Sequence, residues 1–123
     1  MNKWYNGMDN IENGMVDIGI KNERYAKTII MNTLRIGGYI NTKGKVSMKF
    51  MNPYIGKIFS RARAAEESVK SVSFNTGYSN ITINRFEAGK SGVFDLMMYY
   101  VKFLSVDDVK DICTAILWGK DNG

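Results

Sequence analysis

SVSFNTGYSNITINRFEAGKSG, residues 71–92, is rich in β-branched, aromatic and small polar side chains. Residues 72–74 and 80–86 read as two strands around a turn at Asn75-Thr76-Gly77-Tyr78, and 87–92 reads as a loop. Strict alternation puts Val72 and Phe74 on one face with Ile81 and Ile83, and Asn84 on the other.

Working outward, residues 15–20 alternate as a strand, with Val16, Ile18 and Ile20 on one face. Residues 23–36 carry Tyr25, Ala26, Ile29, Ile30, Thr33 and Leu34 at helical spacing, with Asn22 to cap the start and Gly37-Gly38 to end the helix, although Ile30, Asn32, Leu34 and Ile36 also read as an alternating strand. Residues 39–41 and 46–51 flank Thr42-Lys43-Gly44-Lys45, which is a hairpin signal. Asn52-Pro53 opens a helix with a capping side chain and a proline at its first position; Ile55, Ile58, Phe59, Ala62 and Val69 form its apolar stripe. Residues 93–104 read as a largely buried helix. Ser105-Val106-Asp107-Asp108 resembles a capping box opening a last helix to about Trp118. The predicted order is β-α-ββ-α-ββ-α-α. It describes one domain, 1–123, of the α+β class, with a mainly antiparallel β-sheet in the N-terminal half, α-helices packed on it and two C-terminal helices.

Charge is distributed unevenly. Residues 24–65 contain nine basic residues and no Asp or Glu; the remainder holds eight basic and twelve acidic residues, so the formal +5 is +9 over one third and 8 − 12 = −4 elsewhere. A surface without carboxylates to compete for its cations is prepared for an anion. Lys43 and Lys45 in a hairpin turn equally fit a solvated edge that blocks strand pairing. Tyr25, Tyr39, Phe50, Tyr54 and Phe59 are interleaved with the run, as in proteins that hold single-stranded nucleic acid, although Phe50 and Phe59 sit at core spacing.

Several chemistries are disfavoured. The chain has no histidine and one cysteine, Cys113, on an apolar helical face. The commonest general base and metal ligand is therefore missing, a zinc site is not expected, and the thiol has no activating partner. Gly89-Lys90-Ser91 lacks the glycine five positions earlier that a nucleotide-hydrolysing loop needs, since residue 84 is Asn. A glycine-flanked Lys90 before a helix could still hold a phosphate. The segment MNKWYNGMDNIENGM has no apolar signal region, and 93–104 is too short to span a membrane, so the expected compartment is the cytoplasm. Neither a cofactor nor an enzymatic activity is expected.

In length, in its expected β-rich first half and helical end, and in the segment SVSFNTGYSNITINRFEAGKSG, the chain resembles the phage anti-Thoeris sponges, and suggests a clostridial prophage. The resemblance implies a protein of the infected host's cytoplasm that takes up a cyclic ADP-ribose isomer (glycocyclic ADP-ribose) and holds it intact, blocking TIR immune signalling. In that family an aromatic and an asparagine ten positions later hold the adenine; Phe74 and Asn84 have this spacing. Arginines hold the phosphates, for which Arg24, Arg61 and Arg85 are the candidates by charge and position, with Lys90 beside them. It also implies homodimers or larger homo-oligomers. The alternative expectation is a small phage nucleic-acid-binding protein of the single-strand type. Salt separates the two: neutralising six or more phosphates costs roughly a thousandfold in affinity between 50 and 200 mM salt, whereas a single pyrophosphate engages few cations.

Overall fold

A computed structural model describes residues 23–122, with side chains to 118. The protein is all-helical over this range: α1 (Glu23–Ile36), α2 (Pro53–Ala64), α3 (Val69–Thr76), α4 (Asn80–Glu87), α5 (Phe94–Tyr100) with a 3-10 turn at Val101–Phe103, and α6 (Val106–Asn122). There is no sheet among the described residues; one isolated antiparallel bridge joins Ile40 to Val46. The α+β class with a mainly antiparallel N-terminal sheet is therefore wrong for these residues. The strand expected at 15–20 lies outside them.

Two local features make helices of 69–87, where residue preferences suggested strands. Serines cap both starts: Ser68 Oγ accepts from the Ser71 N–H at 3.0 Å, and Ser79 Oγ accepts from the Thr82 N–H at 3.2 Å. Gly77, at φ +82°, ends α3 in the left-handed region and donates its N–H to the Ser73 carbonyl. Burial then selects the helical period. Val72 is buried between half-buried Val69, Ser73 and Thr76, and Ile83 and Phe86 are fully buried one turn apart. Ile81, which alternation places beside Ile83, is exposed instead.

The hairpin expected at 39–51 is reduced to its turn. Asn41 N–H donates to the Lys45 carbonyl at 3.0 Å and Ser47 N–H to the Tyr39 carbonyl at 2.7 Å. Pairing stops there because the chain turns again at Met48–Met51 and Asn52 caps α2, its Oδ1 accepting from the Ile55 N–H at 2.9 Å. The helix expected over 93–104 is shorter, α5 with its 3-10 turn, while the end of α1 and the start of α6 fall where expected; Asn22, the expected cap of α1, lies outside the described residues. α1 closes in a Schellman motif, with Tyr39 N–H on the Leu34 carbonyl (2.8 Å) and Gly38 at φ +83°. Ser105 and Asp108 form a reciprocal capping box at α6.

The core is an aromatic cluster joining α2, α4, α5 and the 3-10 turn: Phe59, Phe86, Tyr100 and Phe103, with ring centroids 5.0–5.9 Å apart. Three of the four contacts are edge-on, the arrangement aromatic quadrupoles prefer. α1 packs mainly on α6, presenting Ala26, Ile30, Thr33 and Leu34. Cys113 is half-buried, and burial pushes its thiol pKa up. No helix among the described residues is long and apolar enough to cross a membrane.

α2 and the end of α4 touch backbone to backbone. A Cβ on Gly56 would meet the Glu87 carbonyl and the Gly89 nitrogen, and one on Gly89 (φ +74°) would meet the backbone of Asn52 and Pro53. Neither neighbour is a flexible side chain that could move aside. Ser79→Ala should lower urea-unfolding stability by about 1 kcal/mol, the worth of an N-cap. Gly89→Ala should lower it further, for both reasons of conformation and space. Far-ultraviolet circular dichroism of the parent should be helical, and a strand-dominated spectrum would contradict this fold.

Candidate functional site

The most distinctive local arrangement is α3, a three-residue turn at Gly77-Tyr78-Ser79, and α4. Gly77 supplies the left-handed backbone, Ser79 caps the next helix, and Ser73 Oγ donates to the Tyr78 carbonyl at 2.6 Å, closing the turn from inside. The two eight-residue helices pack on each other, and α4 also packs on α2. One side of α4, Ile83 and Phe86, is fully buried. The other side exposes Asn80, Ile81, Asn84 and Arg85. Residues 81, 84 and 85 stand at i, i+3 and i+4 and so share a face.

A buried ion pair fixes α4. Arg63 of α2 donates Nε to Glu87 Oε2 (2.8 Å) and Nη2 to Oε1 (2.9 Å), a two-pronged contact, and its Nη1 to the Glu67 carbonyl (3.1 Å). Tyr100 of α5 donates its hydroxyl to the same Glu87 Oε2. The Arg63 and Glu87 side chains are only 12% and 9% exposed. Burial pushes the Glu87 carboxyl pKa up, but hydrogen bonds from Arg63 and Tyr100 outweigh it and hold it below the ordinary value. Burial and the adjacent carboxylate push the Tyr100 pKa up. Arg63 stands four residues before Glu67, a spacing that permits an ion pair along the helix, yet it takes only the Glu67 carbonyl because its guanidinium reaches across to α4.

A second network fixes α3. Glu67 Oε2 accepts from Tyr99 (2.8 Å), Ser71 (2.8 Å) and Asn75 (3.0 Å), while Lys102 Nζ lies 3.9 Å from Oε1 and 3.8 Å from the Tyr99 ring centroid. Desolvation raises the Glu67 pKa, and these donors overcome it, leaving a net lowering.

Glu87, committed to Arg63, is the only carboxylate between Ser68 and Lys90, a stretch that exposes Lys70, Arg85 and Lys90. α2 adds exposed Lys57 and Arg61. None of these five cations has an ion-pair partner among the described residues. Among the described residues these cations are not neutralised internally.

The residues singled out in the sequence fall in different places. Asn84 and Arg85 lie together on α4, and Lys90 follows that helix directly. Phe74 is on α3 and 88% exposed. It is not a strand residue near Asn84 at a strand end; each side chain belongs to its own helix. Arg61 is on α2, and Arg24 opens α1 at the surface. Gly89-Lys90 is a helix ending, not a phosphate loop: Lys90 N–H donates to the Arg85 carbonyl (2.9 Å) and Gly89 N–H to that of Phe86 (3.0 Å). A cavity of about 210 Å³ lies at the 39–47 turn, lined by Gly38, Tyr39, Asn41, Lys45, Val46 and Ser47, and none of the six candidates borders it. Sequence reasoning missed Asn80, Ile81 and Lys70. The signal for them was the repeat of a capping serine three residues before Ser71 and Thr82, with Gly77 between.

Comparison with protein-family models, curated proteins and solved structures finds no match.

The pH response follows from the two lowered carboxyls. Each adds stability that is fully present above the ordinary glutamate pKa of about 4.3 and is lost as pH falls through the lower folded value. Glu87→Gln should cost about 3 kcal/mol at pH 7, since it leaves Arg63 buried without a counter-charge. Urea midpoints between pH 7 and 3 should fall for the parent below about pH 4.3 and fall less steeply for Glu87→Gln.

Proposed function

We propose that this protein binds double-stranded DNA through a helix-turn-helix, with α4 entering the major groove. The observation that carries the proposal is the α3–turn–α4 unit itself, whose second helix buries Ile83 and Phe86 and exposes Asn80, Ile81, Asn84 and Arg85. A short turn, often with glycine, joining two packed helices is how this motif projects a reading helix. Asn84 suits the hydrogen-bonding edge of adenine, and Arg85 the paired acceptors of guanine. Lys57, Arg61, Lys70 and Lys90 supply the phosphate contacts that set position without reading sequence. The protein would act by occupying a site, making and breaking no covalent bond.

This reading develops the nucleic-acid alternative and changes its substrate from single strand to duplex. A single-strand binder needs a row of aromatic platforms, whereas the exposed face of α4 is amide, guanidinium and aliphatic. Self-association belongs to the proposal: paired motifs read half-sites about 34 Å apart. Sequestration of a cyclic ADP-ribose isomer came from the resemblance, of which the helical fold overturns the expected β-rich half among the described residues and leaves the ten-residue spacing of Phe74 and Asn84. The basic surface speaks for it as well.

The test is selection of duplexes from a random library, then titration by fluorescence anisotropy. A preferred sequence should emerge, with affinity falling steeply as salt rises. Arg85→Ala and Asn84→Ala should each weaken the selected duplex about 10- to 100-fold, while non-specific binding changes little. Absence of any preferred duplex, together with a melting-temperature rise on adding a cyclic ADP-ribose isomer that is later released intact, would replace this reading with sequestration.

A further inference from the structure

We propose that Ile81 reads the 5-methyl group of a thymine, making the protein's target site dependent on that methyl. The inference rests on the DNA-binding reading and deepens it. Ile81 is 72% exposed on an eight-residue helix whose other large apolar side chains, Ile83 and Phe86, are 0% exposed. Among the described residues, folding gives no reason for isoleucine there. Its side chain fills no core position, and a β-branched residue is a weaker helix former than many polar alternatives.

Its surroundings indicate what it contacts. Ile36, Phe74 and Trp118 are also exposed, but Ile81 differs in standing one helical turn from Asn84 and Arg85, two side chains with base-edge hydrogen-bonding geometry. A protein-docking surface would present a contiguous apolar patch, whereas on α4 Ile81 is the one exposed apolar side chain, beside Asn80, Asn84 and Arg85. In the major groove each base edge shows donors or acceptors, and thymine alone adds a methyl. Burying that methyl against Ile81 would offset the cost of exposing the side chain in the free protein. Charge complementarity supports a duplex as the occupant: residues 68–90 expose Lys70, Arg85 and Lys90, and the one carboxylate in that stretch, Glu87, is held by Arg63.

The experiment starts from the duplex selected by the full-length protein. Each thymine is replaced in turn by deoxyuridine, which removes the methyl and leaves every hydrogen-bonding group. One position per half-site should lose about fourfold in affinity, the worth of one buried methyl. Ile81→Ala should bind the thymine and deoxyuridine duplexes equally at that position, with its helix content unchanged, and Ile81→Val should keep part of the difference. Deoxyuridine tolerated at every position, or a thymine preference that persists in Ile81→Ala, would overturn the proposal while leaving the DNA-binding reading intact. Failure to select any duplex would overturn both.

Discussion

The Arg63–Glu87 pair, with Tyr100 on the same carboxylate oxygen, is the constraint on which the arrangement of helices depends. It joins α2, α4 and α5 in one polar contact beneath a cluster of aromatic rings. A charge this well covered is tolerated only when its hydrogen-bonding capacity is filled, and the guanidinium does so with a planar fork that fits the carboxylate in one orientation. The geometry therefore sets the rotation of α4 about its own axis. That rotation decides which residues face outward, so a covered contact at the end of α4 determines what its exposed face presents.

Close backbone approach adds translation to that rotation. Gly56 lets the end of α4 lie against α2, and Gly89 lets the chain leave α4 against the Asn52–Pro53 cap. Glu67 gathers Ser71, Asn75 and Tyr99 and so ties α3 to α5. Each helix of the motif is thus held by a polar network anchored on one of two neighbouring tyrosines of α5, and Arg63 links the two through the Glu67 carbonyl. A rigid support of this kind is what a binding face needs, because a face that reorients on contact loses affinity to the cost of ordering.

Much of the local structure was legible. Asn52-Pro53, Ser105 with Asp108, and Gly37-Gly38 mark helix ends whose hydrogen bonds form within a few residues, so their chemistry is readable without the fold. Residues 71–87 were not read correctly, because two periods fit them. Val72, Phe74, Ile81 and Ile83 satisfy alternation, while Val69, Val72, Thr76 and then Ile83, Phe86 satisfy the helical turn. β-Branched and aromatic content favours the first, and such preferences are weak against packing. The capping serines at 68 and 79, with Gly77 between, favour the second. Of the candidate residues, Asn84, Arg85 and Lys90 do come together; Phe74 joins them only as a member of the preceding helix, and Arg24 belongs to another part of the molecule.

By itself the sequence determined the charge field and the local stops: nine cations without a carboxylate over 24–65, no histidine, and the proline, glycine and serine positions at which helices begin and end. These depend on residues adjacent in the chain. The tertiary structure decided between the two periods open to 69–87, and it decided that Arg63 would reach Glu87 and not Glu67 and that Ile81 would be left outside. Each of those choices turns on which surface another helix covers, and contacts between residues about 24 positions apart, such as Arg63 with Glu87, have no local signature. The ambiguity in residues 71–92 was therefore physical: their intrinsic preferences were nearly balanced, and burial against α2 and α5 settled them.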